Sequence, residues 1–269
     1  MILLVPLIIR PMEMKILAIV ILSIGLSTIA GVVGGIFFRN IPKRLNDIVL
    51  GFAAGVMLAA SMLGLIAPSF ESDGFALVLA IAGILAGAGA TSMLDRIVPH
   101  LHRIAGLDSE SHKANPGISK TLLFVAAIAL HKIPEGLASG VSFATGSTGD
   151  VLMVASSISL QNIPEAMVMV TPLFATGIAT RRVLAISFGI AATSAASVLT
   201  GVAAAAVSAG ATPFLLAAAG GAILYVISDE MIPETHSNGN EKAATFALIA
   251  GLVLVILMQK MFQTAPGTP

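Results

Sequence analysis

Eight apolar runs, each about as long as a bilayer is thick, constrain this chain more than any other feature. A helix that crosses the hydrocarbon core needs about 20 mostly apolar residues. Runs of that kind lie at 14–37, 45–69, 75–95, 119–144, 151–176, 183–208, 211–232 and 243–262. The sequence therefore predicts an all-α protein, a polytopic bundle of eight transmembrane helices embedded in a lipid bilayer.

The composition excludes most other classes of protein. Hydrophobic residues make up 57% of the 269 residues and charged residues only 10%, whereas ordinary soluble domains are about 25% charged. A cytosolic globular protein, a disordered chain and a nucleic-acid binder are excluded on that ground. Cysteine is absent, so the chain has neither a disulfide framework nor a thiolate metal site.

Lysine and arginine near the span ends set the expected orientation. The loops after spans one, three, five and seven, with their edges, carry ten of the 14 cations, and the opposite side carries three. Because positive loops stay in the cytoplasm, both termini are expected on the extracytoplasmic side of the plasma (inner) membrane. Residues 14–262 then form one membrane domain, preceded by a segment of uncertain status, 1–13, and followed by a short tail, 263–269.

The longest predicted loop, 97–118, joins spans three and four and contains His100, His102 and His112. A solvated linker is the favoured interpretation of this loop. A weak metal-collecting loop is the alternative, because histidine is the commonest metal ligand.

Three copies of one polar motif interrupt the apolar spans. Span four contains His131-Lys-Ile-Pro-Glu-Gly136, span five contains Gln161-Asn-Ile-Pro-Glu-Ala166, and span seven ends with Glu230-Met-Ile-Pro-Glu-Thr-His236. Ionisable residues inside a membrane are costly and usually functional. Three copies of Ile-Pro-Glu in so apolar a chain therefore indicate a shared role.

The spacing within the first two copies predicts a metal site. Positions i and i+4 share one helix face, so His131 points with Glu135, and Gln161 points with Glu165. Spans joined by a short loop run antiparallel, and the two pairs then offer one imidazole, one amide oxygen and two carboxylates. This set suits Zn²⁺ and also Fe²⁺, Mn²⁺ or Cd²⁺. The proline before each glutamate frees a backbone carbonyl, which favours a kinked ion pathway over an ordinary kink.

Lys132 lies at the edge of the face that carries Glu135. Two glutamates and one lysine, with a neutral histidine, sum to −1, and one divalent ion brings the site to +1. A second ion beside the first would meet the ammonium group. We therefore interpret Lys132 as a tethered substitute for a second cation. A structural salt bridge to Glu135 or Glu165 is the alternative, and the two roles are compatible.

These motifs resemble the ZIP (Zrt/Irt-like) metal transporter family, and most of all its bacterial-type branch. The resemblance covers nearly the whole chain from about residue 14. The copies in spans four and five are its most specific pieces. Further support comes from Gly51-Phe-Ala-Ala-Gly-Val-Met57 and Tyr225-Val-Ile-Ser-Asp-Glu-Met-Ile-Pro-Glu-Thr-His236. The family usually has asparagine where this chain has Lys132.

The resemblance implies a transport site on spans four and five, with a metal ion, most of all zinc, as substrate and no cofactor. It implies two sliding units, spans 1, 4, 5 and 6 against spans 2, 3, 7 and 8. The site residues carried over are His131, Glu135, Gln161 and Glu165.

The resemblance also implies that a second, adjacent metal site is lost here. Lys132 replaces its asparagine, and its span-six glutamate is missing because no acid lies between Glu165 and Asp229. We therefore expect a mononuclear site, with Asn162 nearby but unable to hold an ion alone.

Further pathway residues rest on looser similarity, with plain interfacial solvation as the alternative for the charged ones. Met57 resembles a pathway residue of span two. The other candidates are Glu71 and Asp73 at the outer end of span two, and Asp229, Glu230, Glu234 and His236 at the inner end of span seven.

The expected function is import of a divalent transition metal into the cytoplasm, and two alternatives stay open. One is a metal-binding or sensing membrane protein with little transport. The other is an intramembrane metalloenzyme, which would need a pattern such as His-Glu-x-x-His; no span core carries a second histidine, so we do not expect an enzyme. The sequence leaves the oligomeric state open, with a homodimer as one expectation.

Overall fold

The computed structural model describes the backbone of residues 11–38, 41–70, 74–104, 116–175, 177–207 and 209–264. Within these ranges the chain is helical, without strands, which confirms the predicted all-α bundle. Its eight long helices are α1 Pro11–Phe37, α2 Lys43–Ser69, α3 Gly74–Ile104, α4 Pro116–Val141, α5 Thr148–Ala175, α6 Thr180–Val207, α7 Thr212–Thr235 and α8 Glu241–Thr264.

Seven helices in the described part of the chain are long and apolar enough to cross a membrane. The remaining long helix, α4, has 26 residues, and the side chains of its first half, residues 116–128, are outside the described set. Length and apolarity therefore fit a multi-pass membrane protein. The side on which each terminus lies stays a prediction.

The predicted start of the long loop at residue 97 is wrong, because α3 continues to Ile104. The backbone of His100 and His102 is therefore helical, while their side chains and the whole of His112 lie outside the described residues. The physical reason is that the end of an apolar run marks where the chain leaves the bilayer. Polar residues beyond that point can continue the same helix.

The helices pack as two units. In the first, which we call the site unit, α1 packs on α5 and α6, and α4 packs on α6. In the second, which we call the flanking unit, α3 packs on α7, and α2 packs on α8. This is the grouping of spans that the family resemblance implied. Its sliding motion stays a prediction.

Glycines bring the helix backbones together inside each unit. A Cβ on Gly31 would overlap the Ile163 carbonyl across α1 and α5, and one on Gly55 would overlap the Leu248 carbonyl across α2 and α8. Every described glycine whose added Cβ would overlap the backbone of another helix makes that contact within its own unit. Small residues of this kind let membrane helices pack closely, so each unit is internally fixed.

Contacts between the units use side chains instead of backbone. The two units meet chiefly where α2 packs on α5 and α4 packs on α7. At the first of these places, a Cβ on Gly64 would meet Val154 Cγ2 at 2.5 Å and Met153 Cε at 2.9 Å. Methionine is flexible and adapts to irregular gaps. At this place the two units therefore meet through side chains.

We expect Gly55→Ala to destabilise the protein by about 1–3 kcal/mol, the usual result of overpacking, because the new methyl group meets the backbone of α8. The matched control is Gly25→Ala in α1, where an added Cβ has nothing within 4 Å. Thermal unfolding followed by circular dichroism measures both changes. Equal stability of the two variants would contradict the proposed close contact between α2 and α8.

Candidate metal site

A cavity of about 540 Å³ lies between the two units. We call it the central cavity. It is lined by helices α4 and α5 of the site unit and by helices α2 and α7 of the flanking unit. The predicted residues that line it are Met57, His131, Glu135, Glu165, Asp229, Glu230 and Glu234. Five carboxylates and one imidazole thus share a single cavity inside an apolar bundle.

The Lys132 ammonium group joins α4 to α5 at the wall of this cavity. Its Nζ donates to Glu135 Oε2 at 2.7 Å, to Asn162 Oδ1 at 2.7 Å and to Glu165 Oε2 at 2.5 Å. A lysine ammonium has three donor hydrogens and no acceptor. Three oxygen partners therefore satisfy it completely.

This ion-pair cluster is buried. Lys132 and Glu135 are each only 2% exposed. Removing charges from water is expensive, and their attraction offsets the penalty only when the remaining donors and acceptors are well satisfied. The three contacts of Lys132 meet that condition. They also bring the carboxylates of Glu135 and Glu165 together around one ammonium group.

Gln161 and Asn162 complete the polar surroundings of Lys132, and both are fully buried. Gln161 Nε2 donates to Asn162 Oδ1 at 2.9 Å. Within the described part of the chain, Gln161 Oε1 and Asn162 Nδ2 have no hydrogen-bond partner. A buried polar atom without a partner is uncommon and is often explained by an ion or water. Gln161 Oε1 is therefore a candidate ligand atom for a metal ion.

His131 directly precedes Lys132 on α4 and contacts the flanking unit. Its Nε2 is 2.7 Å from Glu230 Oε1 on α7. Glu230 belongs to a π-helical turn, Ile227–Met231, and such turns occur frequently at functional sites. The sequence had assigned Glu230 only to the inner end of span seven, whereas the folded chain brings it to the predicted ligand His131.

Comparison with known proteins decides the family. The sequence pattern of the family described as "ZIP Zinc transporter" matches residues 106–259. The zinc transporter ZIPB of Bordetella bronchiseptica is 36% identical over 249 residues, covering 86% of this chain and 76% of that protein. This chain belongs to the ZIP family.

Other relatives agree with this assignment. The zinc transporter GufA of Myxococcus xanthus is 34% identical, covering 87% of this chain and 94% of that protein. The zinc transporter ZIP11 of Xenopus tropicalis is 28% identical, covering 85% and 92%. The family and its named members are transporters, in line with the expectation that the chain is not an enzyme.

Among the side chains that the structure describes, no group of three or more histidine, aspartate or glutamate residues is arranged to hold a metal ion. In this ZIP protein a lysine lies where two of the predicted ligands converge, because Glu135 and Glu165 both direct Oε2 at Lys132.

Of the remaining predicted pathway residues, the structure describes His236. His236 does not line the central cavity; its Nδ1 lies 2.8 Å from the Ile232 carbonyl and its Nε2 lies 3.2 Å from Thr245 Oγ1 of α8. Glu71 and Asp73 lie outside the described residues.

Sequence reasoning missed Asp47, a fully buried carboxylate in the first turns of α2. Its two oxygens accept hydrogen bonds from Asn238 Nδ2 at 3.0 Å and Asn240 Nδ2 at 2.8 Å. These bonds tie the turn after α7 to α2, beside the cavity wall formed by Leu50 and Ser237. The signal was present, since Asp47 is an acid inside a predicted span.

We expect Lys132→Met to destabilise the metal-free protein by about 3–5 kcal/mol, the usual effect of removing one partner from a buried ion pair. Zn²⁺ should recover part of the loss, because a cation can replace the missing ammonium between Glu135 and Glu165. Thermal unfolding with and without Zn²⁺ measures both effects. The control is Lys242→Met, which removes an exposed lysine. If the metal-free Lys132→Met protein were as stable as this control, the ion-pair cluster would not contribute to the stability of the fold.

Proposed function

We propose that this ZIP protein carries a divalent transition metal, zinc above all, into the cytoplasm through a mononuclear site on α4 and α5. The observation that supports this most is the central cavity, where Glu135 and Glu165 converge and His131 lies one helical turn away. The curated relatives are named zinc transporters, which favours zinc over the other metals that an N/O ligand set accepts.

The donor atoms left over by Lys132 fit one ion. Both ion pairs use Oε2. The Oε1 atom of each carboxylate can therefore coordinate a metal ion. Gln161 Oε1 has no partner in the described part of the chain, and His131 supplies a ring nitrogen. Two carboxylate oxygens, one amide oxygen and one imidazole nitrogen make the four-coordinate N/O set that zinc accepts.

The charges favour one ion over two. Glu135, Glu165 and Lys132 sum to −1, so a single divalent ion leaves +1 in a buried site. Like charges about 4 Å apart repel by about 4 kcal/mol at an effective dielectric of about 20. A second ion beside the ammonium would meet that repulsion. Lys132 therefore acts as a permanent, tethered second cation.

The packing of the two units supports transport by relative movement. The ligands His131, Glu135, Gln161 and Glu165 all belong to α4 and α5 of the site unit, while Met57, Asp229, Glu230 and Glu234 belong to the flanking unit. Backbone contacts fix each unit internally, and side chains fill the boundary. We propose that the site unit carries the ion past the flanking unit as one body.

The direction of release follows from where the cavity leads. Its wall continues from His131 to Pro233, Glu234 and Ser237 at the end of α7. That end is cytoplasmic in the orientation predicted from lysine and arginine. On the other side of the site, Gly64 closes against Met153 and Val154. Release of the ion therefore runs past Glu230, which must part from His131 when His131 binds metal.

Two further expectations belong to this proposal. We place the protein in the plasma (inner) membrane, in keeping with the predicted orientation. A homodimer also stays part of the proposal, and crosslinking in the native membrane tests it directly.

We expect Glu165→Gln to abolish saturable Zn²⁺ uptake in proteoliposomes loaded with a metal-sensitive dye. Loss of a direct ligand should lower metal affinity by at least about 100-fold, since even outer-shell partners contribute about 10–100-fold. The control is Glu241→Gln, which neutralises an exposed glutamate in the first turn of α8 and should leave uptake unchanged.

Two results would contradict the transport proposal in different ways. Uptake at the wild-type rate by Glu165→Gln would exclude Glu165 as a ligand. Zinc binding by the unmodified protein without any flux would favour the alternative function, a metal-binding or sensing membrane protein.

We expect Lys132→Asn to bind two divalent ions where the unmodified protein binds one. The substitution removes the ammonium and supplies an amide oxygen beside Glu135, with Asn162 opposite. Equilibrium dialysis against Zn²⁺ followed by elemental analysis gives the stoichiometry of each protein. The second ion should bind more weakly than the first, because the span-six glutamate is still missing. A stoichiometry of one in both proteins would refute the role given to Lys132.

A further inference from the structure

A second cavity, of about 400 Å³, lies against a different face of α4. We call it the apolar groove. It is walled by α3 and α7 of the flanking unit and by α4 and α6 of the site unit. Residues that define it are Ala90, Leu94, Ile133, Leu137, Phe214 and Ala218. Like the central cavity, it lies on the boundary between the units.

We propose that a phospholipid acyl chain occupies the apolar groove. The proposal concerns hydrocarbon binding and does not depend on which metal the protein carries. Its argument rests on what the groove excludes and on what surrounds it.

Water and polar solutes do not fit this groove. A buried water needs about 2–4 polar partners, and among the described residues Thr91 is the only one with a polar side chain that lines the groove. Its hydroxyl group already donates to the Gly87 carbonyl at 3.1 Å. An empty groove is also unfavourable, because the atoms that line a void lose their dispersion contacts on that side. Hydrocarbon satisfies both conditions.

The bilayer can supply that hydrocarbon directly. The groove is formed by membrane-spanning helices, and Ala90 on its edge is exposed. On the same helix, Leu85 is 69% exposed and Met93 is 65% exposed, as expected of a surface that faces lipid. The groove is therefore continuous with the lipid-facing surface of α3, and a chain can enter from the side.

The position of the groove gives the bound chain a place in the mechanism. It touches α4 through Ile133, the residue after Lys132, and Pro134, the residue before Glu135. It also touches α3 and α7 across the boundary between the units. A mobile hydrocarbon chain there fills the gap in place of side chains, so the two units meet across a fluid contact instead of a fixed one.

The absence of tryptophan from the chain allows a direct test with single-tryptophan variants in vesicles of phosphatidylcholine carrying dibrominated acyl chains, which quench tryptophan fluorescence on contact. Phe214→Trp reports on the groove. Phe75→Trp reports on a lipid-facing position that is 70% exposed. Phe52→Trp is the matched control, since Phe52 is also partly buried but packs against the core. We expect quenching of Phe214→Trp to approach that of Phe75→Trp and to exceed that of Phe52→Trp clearly.

A second substitution distinguishes a chain inside the groove from lipid at its edge. Ala90→Leu fills the groove and should reduce quenching of Phe214→Trp, whereas Ala82→Leu, at another exposed alanine of α3 outside the groove, should not. If Phe214→Trp does not fold, Leu94→Trp replaces it. Quenching no greater than that of Phe52→Trp, or quenching unchanged by Ala90→Leu, would overturn the proposal.

Discussion

The buried ammonium of Lys132 is the interaction on which the site depends. It is surrounded by Glu135, Asn162 and Glu165, and its three contacts use all its donor hydrogens. Two carboxylates could not both stay ionised so close together inside a membrane protein without a cation between them, because burying charge is expensive unless it is paired. The ammonium group of Lys132 is that cation, and it is attached permanently to the chain. The two glutamates that we propose as metal ligands are therefore paired with a cation even when no metal is bound.

The same interaction lies inside one of the two units of the bundle. Lys132 on α4 and its partners on α5 lie within one unit, and we propose that this unit moves as a single rigid body. Glycines reinforce this by bringing helix backbones together inside each unit. Across the boundary the contacts are softer, with Met153 and Val154 on one side and the polar pair His131 and Glu230 on the other. In the movement that we propose, backbone contacts hold the geometry within each unit, and the contacts that rearrange between the units are made by side chains.

The sequence could predict which helices carry the candidate ligands because the relevant relations are local, and metal binding by these residues stays a prediction. The i to i+4 spacing puts His131 and Glu135 near one face, and the apolar runs predict the helices that carry them. The contact of His131 with Glu230 could not be predicted, since it depends on how α7 approaches α4 and on a π-helical turn in α7. The buried bonds of Asp47 to Asn238 and Asn240 are likewise long-range. The extension of α3 to Ile104 was missed because hydropathy predicts which residues lie in the bilayer and does not predict where the helix ends.

Anomalous diffraction at the zinc edge, from crystals of the unmodified protein grown with Zn²⁺, tests the central claim most directly. Our account predicts one zinc peak within ligand distance of Glu135 and Glu165, with Lys132 Nζ still between the two carboxylates. Two well-occupied peaks with Lys132 turned away would contradict the account, and so would a single peak remote from both glutamates.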